Sequence, residues 1–221
     1  MSDKNPTITA FSWVPDFARS HVRDMRVRWA LEEVGQAYQV RLLNNVTAKA
    51  TEHRSLQPFG QVPTYEEDGI KLFESGAILL HIARKYPGLL PADPAARAHA
   101  EQWVFAAMTS VEPAVQDLAI VNVFERDQPW ADDRRPLSEK RVHGRLQDLS
   151  NRLGDKPYLE GEFTAGDLMM ACVLHGLSGT GLLDSYPNLA AYLARCHARP
   201  AYQRALTAHM ADFTDQPPIA A

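Results

Sequence analysis

The spacing of apolar residues predicts the first elements of the chain. Tyr38, Val40 and Leu42 alternate with polar residues, the period of a half-buried strand. Residues 8–13 combine β-branched and aromatic side chains and predict an earlier strand. Between the two, apolar residues recur at helical spacing and end before Gly35, a natural helix stop. They are Val27, Ala30, Leu31 and Val34. We therefore expect a βαβ unit with parallel strands and a right-handed crossover.

A hairpin and a helix are predicted next. Asp68-Gly69 lies between two apolar runs, which is a strong short-range hairpin signal. An apolar helix over 77–83 follows, with Ser75 as its N-cap. The preceding stretch, 44–59, shows little periodicity and is predicted to be a loop. The order is β-α-β, a loop, then β-β-α.

Beyond this point the chain shows only helical spacing. Residues 86–94 are rich in proline and glycine and predict a linker. Thr164 and Asp167 have the spacing of a capping box at the start of a buried helix. The first predicted helix of this part, over 95–124, could be kinked at Pro113. A frayed tail is expected around 215–218. The predicted helices cover 95–124, 136–153, 164–177, 187–199 and 200–211. The predicted domains are 1–85 and 95–221, joined by the linker.

Composition narrows the class of protein. Of 221 residues, 45% are hydrophobic and 23% are charged, and the net charge of −4 disfavours a broad nucleic-acid surface. The N-terminus lacks an apolar core, and no uninterrupted apolar run approaches the ~20 residues of a membrane span. Two cysteines suit a reducing compartment, so we expect a cytoplasmic protein. Neither metal-ligand spacing nor a nucleotide fingerprint is present.

Two short motifs could hold a peptide ligand. A cis bond between Val62 and Pro63 would turn the Val62 main chain outward to pair with an extended ligand. The alternative is an ordinary trans proline at a strand start. Ser75 and the start of its helix could hold a carboxylate, with Glu74 accepting from an ammonium group. The alternative here is a simple cap beside a solvated glutamate.

Taken in order, these motifs resemble the glutathione-site signature of the cytosolic glutathione transferases. Further similarity lies in the first helix, the capping box and a late helix junction. The residues concerned are 58–63, 68–69, 72, 74–75, 77–78, 29–35, 163–167 and 198–202. The resemblance implies an α+β, thioredoxin-like N-terminal domain, an all-α C-terminal domain and a homodimer. We expect a bacterial member whose class the sequence does not identify.

The resemblance also implies that glutathione binds the first domain as a co-substrate, with no tightly bound cofactor. Val62, preceding a cis Pro63, should pair with the cysteinyl part, and Glu74 and Ser75 should hold the γ-glutamyl end.

Two further residues are implied at the glycyl end of glutathione. Gln61 and His53 could reach the glycyl carboxylate. A solvated loop histidine is the alternative for His53.

The group that stabilises the thiolate is less clearly marked. Family members use a tyrosine, serine or cysteine near the first helix to lower the pKa of the thiol. Residues 11–22 contain neither tyrosine nor cysteine, and the loop is longer than usual. Ser20 is the first choice and Ser12 the second. The alternatives are an N-cap role for Ser20, a strand-end role for Ser12, and a main-chain N–H as the donor.

Three arginines recur at helical spacing beside this loop. Arg19, Arg23 and Arg26 could help to hold an anion. The alternative is a solvated face balanced by Asp16 and Asp24.

The second substrate is expected to be a hydrophobic electrophile in a cleft between the domains. Candidate lining residues are Trp13, Phe17, Trp103, Phe105 and Met108. The predicted reaction forms a thioether, with peroxide reduction as a related chemistry. The alternative is a non-catalytic glutathione transferase-like binding or interaction module.

Overall fold

The N-terminal part of the chain is built on a four-stranded mixed sheet. The computed structural model describes residues 5–215, and it orders the strands β2-β1-β3-β4. Parallel β1 and β2 confirm the predicted βαβ unit, and antiparallel β3 and β4 confirm the hairpin. Asp68 and Gly69, at φ 49° and 81°, form its turn. The strands are β1 (Thr7–Phe11), β2 (Gln39–Leu43), β3 (Thr64–Glu67) and β4 (Ile70–Phe73).

Helices cover this sheet. Helix α1 spans Asp24–Glu33 and α3 spans Ser75–Lys85, as the apolar spacing predicts. The N-cap of α3 is Glu74, so the predicted N-cap role of Ser75 is wrong. The segment predicted to be a loop contains a 3₁₀ turn, Thr47–Lys49, and a one-turn helix, α2, at Thr51–Arg54. Apolar spacing misses them because local hydrogen bonds define the first: the Asn44 side chain accepts from the N–H of Val46 and Thr47.

The last helix, α9 (Pro200–Ala211), packs along α1. The Trp29 and Tyr202 rings meet edge to face at 4.8 Å. Arg199 Nε lies 2.6 Å from Glu33 Oε1. The described residues therefore form two units, 5–89 with 199–215 and 90–198. The predicted boundaries at 85 and 95 stay a prediction, and the predicted tail lies mostly outside the described residues.

The second unit opens with a long helical run that confirms the predicted helix. The run contains two π-helical segments. Ala106–Val111 joins α4 (Pro94–Phe105) to α5 (Glu112–Ala119), and Ile120–Phe124 follows α5. The first ends just before Pro113, whose missing N–H such a segment accommodates. By length and composition the run Pro94–Phe124 could cross a membrane, but core helices of globular proteins meet the same criterion.

Three more helices complete this unit: α6 (Ala131–Leu153), α7 (Ala165–His175) and α8 (Pro187–His197). The predicted start of α6 at Pro136 is wrong. Asp132 and Asp133 in the first turn favour an earlier start at Ala131. Pro136 has no N–H to donate to the carbonyl of Asp132, but Asp132 is exposed, so water can bond this carbonyl instead. The predicted capping box of α7 is confirmed at Thr164 and Asp167.

Candidate functional site

Main-chain groups are available at the start of β3. The Val62–Pro63 peptide bond is cis, so the alternative of a trans proline is wrong. Within residues 5–215, the N–H and C=O of Val62 make no hydrogen bond. The Val62 side chain packs in a cluster with Leu43, to which Phe11 and Val22 from the two ends of the β1–α1 loop also contribute. The unpaired main chain thus lies beside this loop and could pair with an extended peptide.

The start of α3 offers donors for an anion. Ser75 is buried, and its Oγ accepts from Arg26 Nη1 at 3.2 Å. Because the oxygen accepts from Arg26, the hydroxyl hydrogen can point to a ligand. The first-turn N–H groups of α3 and the positive guanidinium add to a field that favours a carboxylate.

Arg26 of α1 is buried beside the start of α3. It is 6% exposed, so a solvated face is the wrong interpretation for this residue. Asp24 is likewise buried, whereas Arg19 pairs with exposed Asp16 at 3.0 Å. Spacing along the helix could not reveal the contact of Arg26 with Ser75, because it depends on how α1 packs against α3.

Glu74 has an unusual backbone conformation. It is exposed, immediately precedes α3 and has a φ of 69°, which side-chain-bearing residues seldom adopt. Such strained positions cluster at ligand-binding sites. The conformation supports a functional place for Glu74 beside Ser75, and it has a consequence for stability.

We expect Glu74→Gly to be more stable than Glu74→Ala by about 1 kcal/mol, because glycine tolerates positive φ. Urea unfolding of the two variants measures this difference. Both variants lack the carboxylate, so the loss of any ionic contact of Glu74 is the same in the two and cancels in the comparison. An alanine variant as stable as the glycine variant would contradict the assignment of strain.

Two side chains, those of His53 and Lys49, contact main-chain carbonyls of the loop before Val62. His53 is only 4% exposed, so the alternative of a solvated histidine is wrong. Its Nε2 lies 2.7 Å from the carbonyl oxygen of Gln61, whose own side chain is exposed. Lys49, which the sequence analysis missed, donates to the carbonyl of Gly60 at 2.9 Å. Its place in an aperiodic segment gave no signal of this contact.

The two candidate serines lie at different ends of the β1–α1 loop. Ser12 donates through Oγ to the Leu43 carbonyl at 3.2 Å, which is the strand-end role. Ser20 is half-buried in a 3₁₀ helix, Asp16–His21. The N-cap of α1 is Arg23, so the N-cap alternative for Ser20 is wrong. Which group faces the sulfur stays a prediction.

The residues predicted to contact the second substrate have different environments. Phe17 is 56% exposed and Phe105 58% exposed. Trp13 and Met108 are half-buried. Trp103 donates through Nε1 to Glu160 at 2.7 Å. Their grouping around one ligand stays a prediction. In the described part of the chain, no three His, Cys, Asp or Glu side chains are arranged to hold a metal ion.

A four-stranded mixed sheet covered by helices, with a cis Val62–Pro63 bond just before β3, defines a thioredoxin-like N-terminal domain. Two family models match the chain. The glutathione S-transferase N-terminal domain matches residues 16–84, and the C-terminal domain matches residues 123–195. A glutathione S-transferase of Hyoscyamus muticus is 33% identical over 197 residues, covering 82% of this chain and 92% of that protein.

Solved structures agree with this relationship. A glutathione transferase from Burkholderia graminis, with two glutathione molecules bound per subunit, is 27% identical with a TM-score of 0.79, covering 92% of this chain and 88% of that one. A family member from Pseudomonas fluorescens, also with two glutathione bound, is 27% identical with a TM-score of 0.80, covering 92% of each chain. The chain belongs to the glutathione transferase family and is a glutathione transferase.

Proposed function

We propose that this transferase ionises the thiol of bound glutathione and directs the thiolate at a hydrophobic electrophile. The sulfur forms a bond to carbon as the leaving group departs, which yields a thioether. The unpaired main chain of Val62 is the observation that carries the proposal, since an extended tripeptide can pair with it. Reduction of a peroxide is a related reaction of the same thiolate: the sulfur takes one oxygen of the O–O bond, the alcohol leaves, and a second glutathione converts the glutathione sulfenic acid to the disulfide and water.

The two ends of glutathione would use different groups. The γ-glutamyl carboxylate would accept from Ser75 and the first turn of α3, and Glu74 would accept from the ammonium group. At the other end, Gln61 would contact the glycyl carboxylate. The Lys49 ammonium adds positive charge there, and His53 fixes the main chain of Gln61.

Ionisation needs a donor close to the sulfur. A free thiol has a pKa of about 8.5, so only a few per cent is thiolate at neutral pH. A hydroxyl that donates to the sulfur lowers this pKa because it stabilises the anion. Ser20 is our first assignment and Ser12 the second, since the Ser12 hydroxyl already donates to Leu43. A main-chain N–H of the loop is the remaining alternative.

We expect Ser20→Ala to raise the pKa of the bound thiol by about 1–2 units and to lower kcat/KM about 10–100-fold at neutral pH, as loss of a charge-assisted hydrogen bond predicts. Thiolate absorbance and turnover of an activated aryl halide, both measured against pH, report the change. Ser12→Ala is the matched control. A larger loss in the Ser12 variant would reverse the assignment, and no loss in either would favour a main-chain donor.

We further propose a cytoplasmic homodimer from a bacterial source, with a hydrophobic electrophile as the second substrate. Light scattering would test the dimer. The whole proposal is tested by titrating the protein with glutathione and then adding an activated aryl halide. Binding with neither thiolate absorbance nor turnover would instead favour a non-catalytic binding module.

A further inference from the structure

Thr214, near the end of the described residues, forms hydrogen bonds with the β1–α1 loop. The main-chain N–H of Thr214 donates to the carbonyl of Ser12 at 2.8 Å, and the Thr214 hydroxyl donates to the same oxygen at 3.2 Å. Arg19, near the other end of the loop, donates through Nη2 to the carbonyl of Thr214 at 3.3 Å. One residue thus connects both ends of the loop.

A second connection lies one turn earlier, in α9. His209 is 1% exposed, with Nε2 at 2.6 Å from the Arg19 carbonyl and Nδ1 at 3.0 Å from Asp24 Oδ2. It therefore joins the residue before Ser20 to the first residue of α1. Arg28 supports this arrangement, because its Nε donates to the same Asp24 oxygen at 2.7 Å.

A ring stack completes the connection. Phe213 packs edge to face against the His209 ring with centroids 5.0 Å apart, and the Arg19 guanidinium lies 5.7 Å from the Phe213 ring centroid. We call residues 209–214 the C-terminal clasp. Its polar contacts reach the main chain of Ser12 and of Arg19, next to both serines assigned to the thiolate.

We propose that the C-terminal clasp is a positioning element for the thiol site, with Thr214 and His209 as positioning residues. This inference rests on the proposed function. The clasp holds the β1–α1 loop so that the donor on this loop faces the sulfur. The reaction rate depends steeply on the position of the donor, because a displacement of about 1 Å can lower the rate on the order of 100-fold.

Thr214 gives the cleaner test, because its contacts lie at the surface near the chain end whereas His209 is part of a buried network. Thr214→Pro removes both the N–H and the hydroxyl. Thr214→Ser keeps both groups and is the matched control. We expect the proline variant to retain the melting temperature of the wild type, because surface substitutions away from the core change stability little.

In the proline variant we expect the pKa of the thiol of bound glutathione to rise by about 1 unit and kcat to fall about 10-fold. The KM for glutathione should change less than about twofold. The serine variant should match the wild type in each value. Hydrogen exchange of the loop amides, measured without glutathione, should become faster in the proline variant alone.

Two results would overturn the positioning role while leaving the proposed function intact. One is an active wild type whose proline variant has the same thiol pKa and kcat. The other is a parallel loss of melting temperature and glutathione affinity in that variant, which would mark the contacts as merely structural. A wild type that forms no thiolate would overturn the proposed function itself.

Discussion

Replacing Asp167 with alanine should lower the free energy of unfolding by about 3–5 kcal/mol, because buried hydrogen-bond donors lose their acceptor and each unpaired donor costs about 1–3 kcal/mol. Asp167 is fully buried. One carboxylate oxygen accepts from the Leu159 N–H at 2.9 Å and the Tyr192 hydroxyl at 3.1 Å. The other accepts from the Thr164 N–H at 2.9 Å and from its hydroxyl at 3.1 Å. Alanine would leave the N–H groups of Leu159 and Thr164 unpaired in the core, whereas the Tyr192 hydroxyl would keep the main-chain carbonyl of residue 167 at 3.3 Å.

Urea unfolding followed by circular dichroism measures this loss. Asp148→Ala is the matched control, because that carboxylate is 73% exposed and its removal should change stability by less than about 0.5 kcal/mol. Asp167→Asn should fall between the two, since its amide keeps one accepting oxygen. Equal stability of the Asp167 and Asp148 alanine variants would show that the capping box does not stabilise the helical unit.

The second large effect concerns ligand affinity. Ser75→Ala should raise the dissociation constant for glutathione about 10–100-fold, because the bound carboxylate loses one hydrogen bond from the serine hydroxyl. The substitution also removes the acceptor that Ser75 gives to Arg26 in the wild type. Isothermal titration of both proteins with glutathione measures the change.

Ser55→Ala is the control for this experiment, because Ser55 is an exposed serine of the same unit whose hydroxyl donates to the Glu52 carbonyl. Its affinity for glutathione should stay within about twofold of the wild type. If Ser75→Ala binds as tightly as the control, the γ-glutamyl carboxylate must bind elsewhere.

Much of the architecture could be predicted from local pattern. The stripe ending at Gly35 defined α1, the Asp68-Gly69 dipeptide defined the hairpin, and the spacing of Thr164 and Asp167 defined the capping box. Each of these signals depends on residues within about one turn or one hairpin of each other. The ordered series of motifs also indicated the family, since independent weak signals in one order seldom arise by chance.

The site was less accessible to this reasoning. A Val-Pro dipeptide alone favours the trans isomer, because only about 5–6% of X–Pro bonds in folded proteins are cis. Only the resemblance implied the cis bond at Val62 that the structure contains. Arg26 and Lys49 carried no local mark of their contacts with Ser75 and Gly60, which involve residues on other elements.

The sequence by itself determined most of the elements, their order and the family, because these follow from short-range periodicity, turn residues and motif order. Only the tertiary structure decided that α9 packs on α1 and that Thr214 contacts Ser12. The reason is physical: an apolar stripe specifies which face of a helix is buried, but not the partner that buries it. Contacts between distant residues depend on that choice of partner.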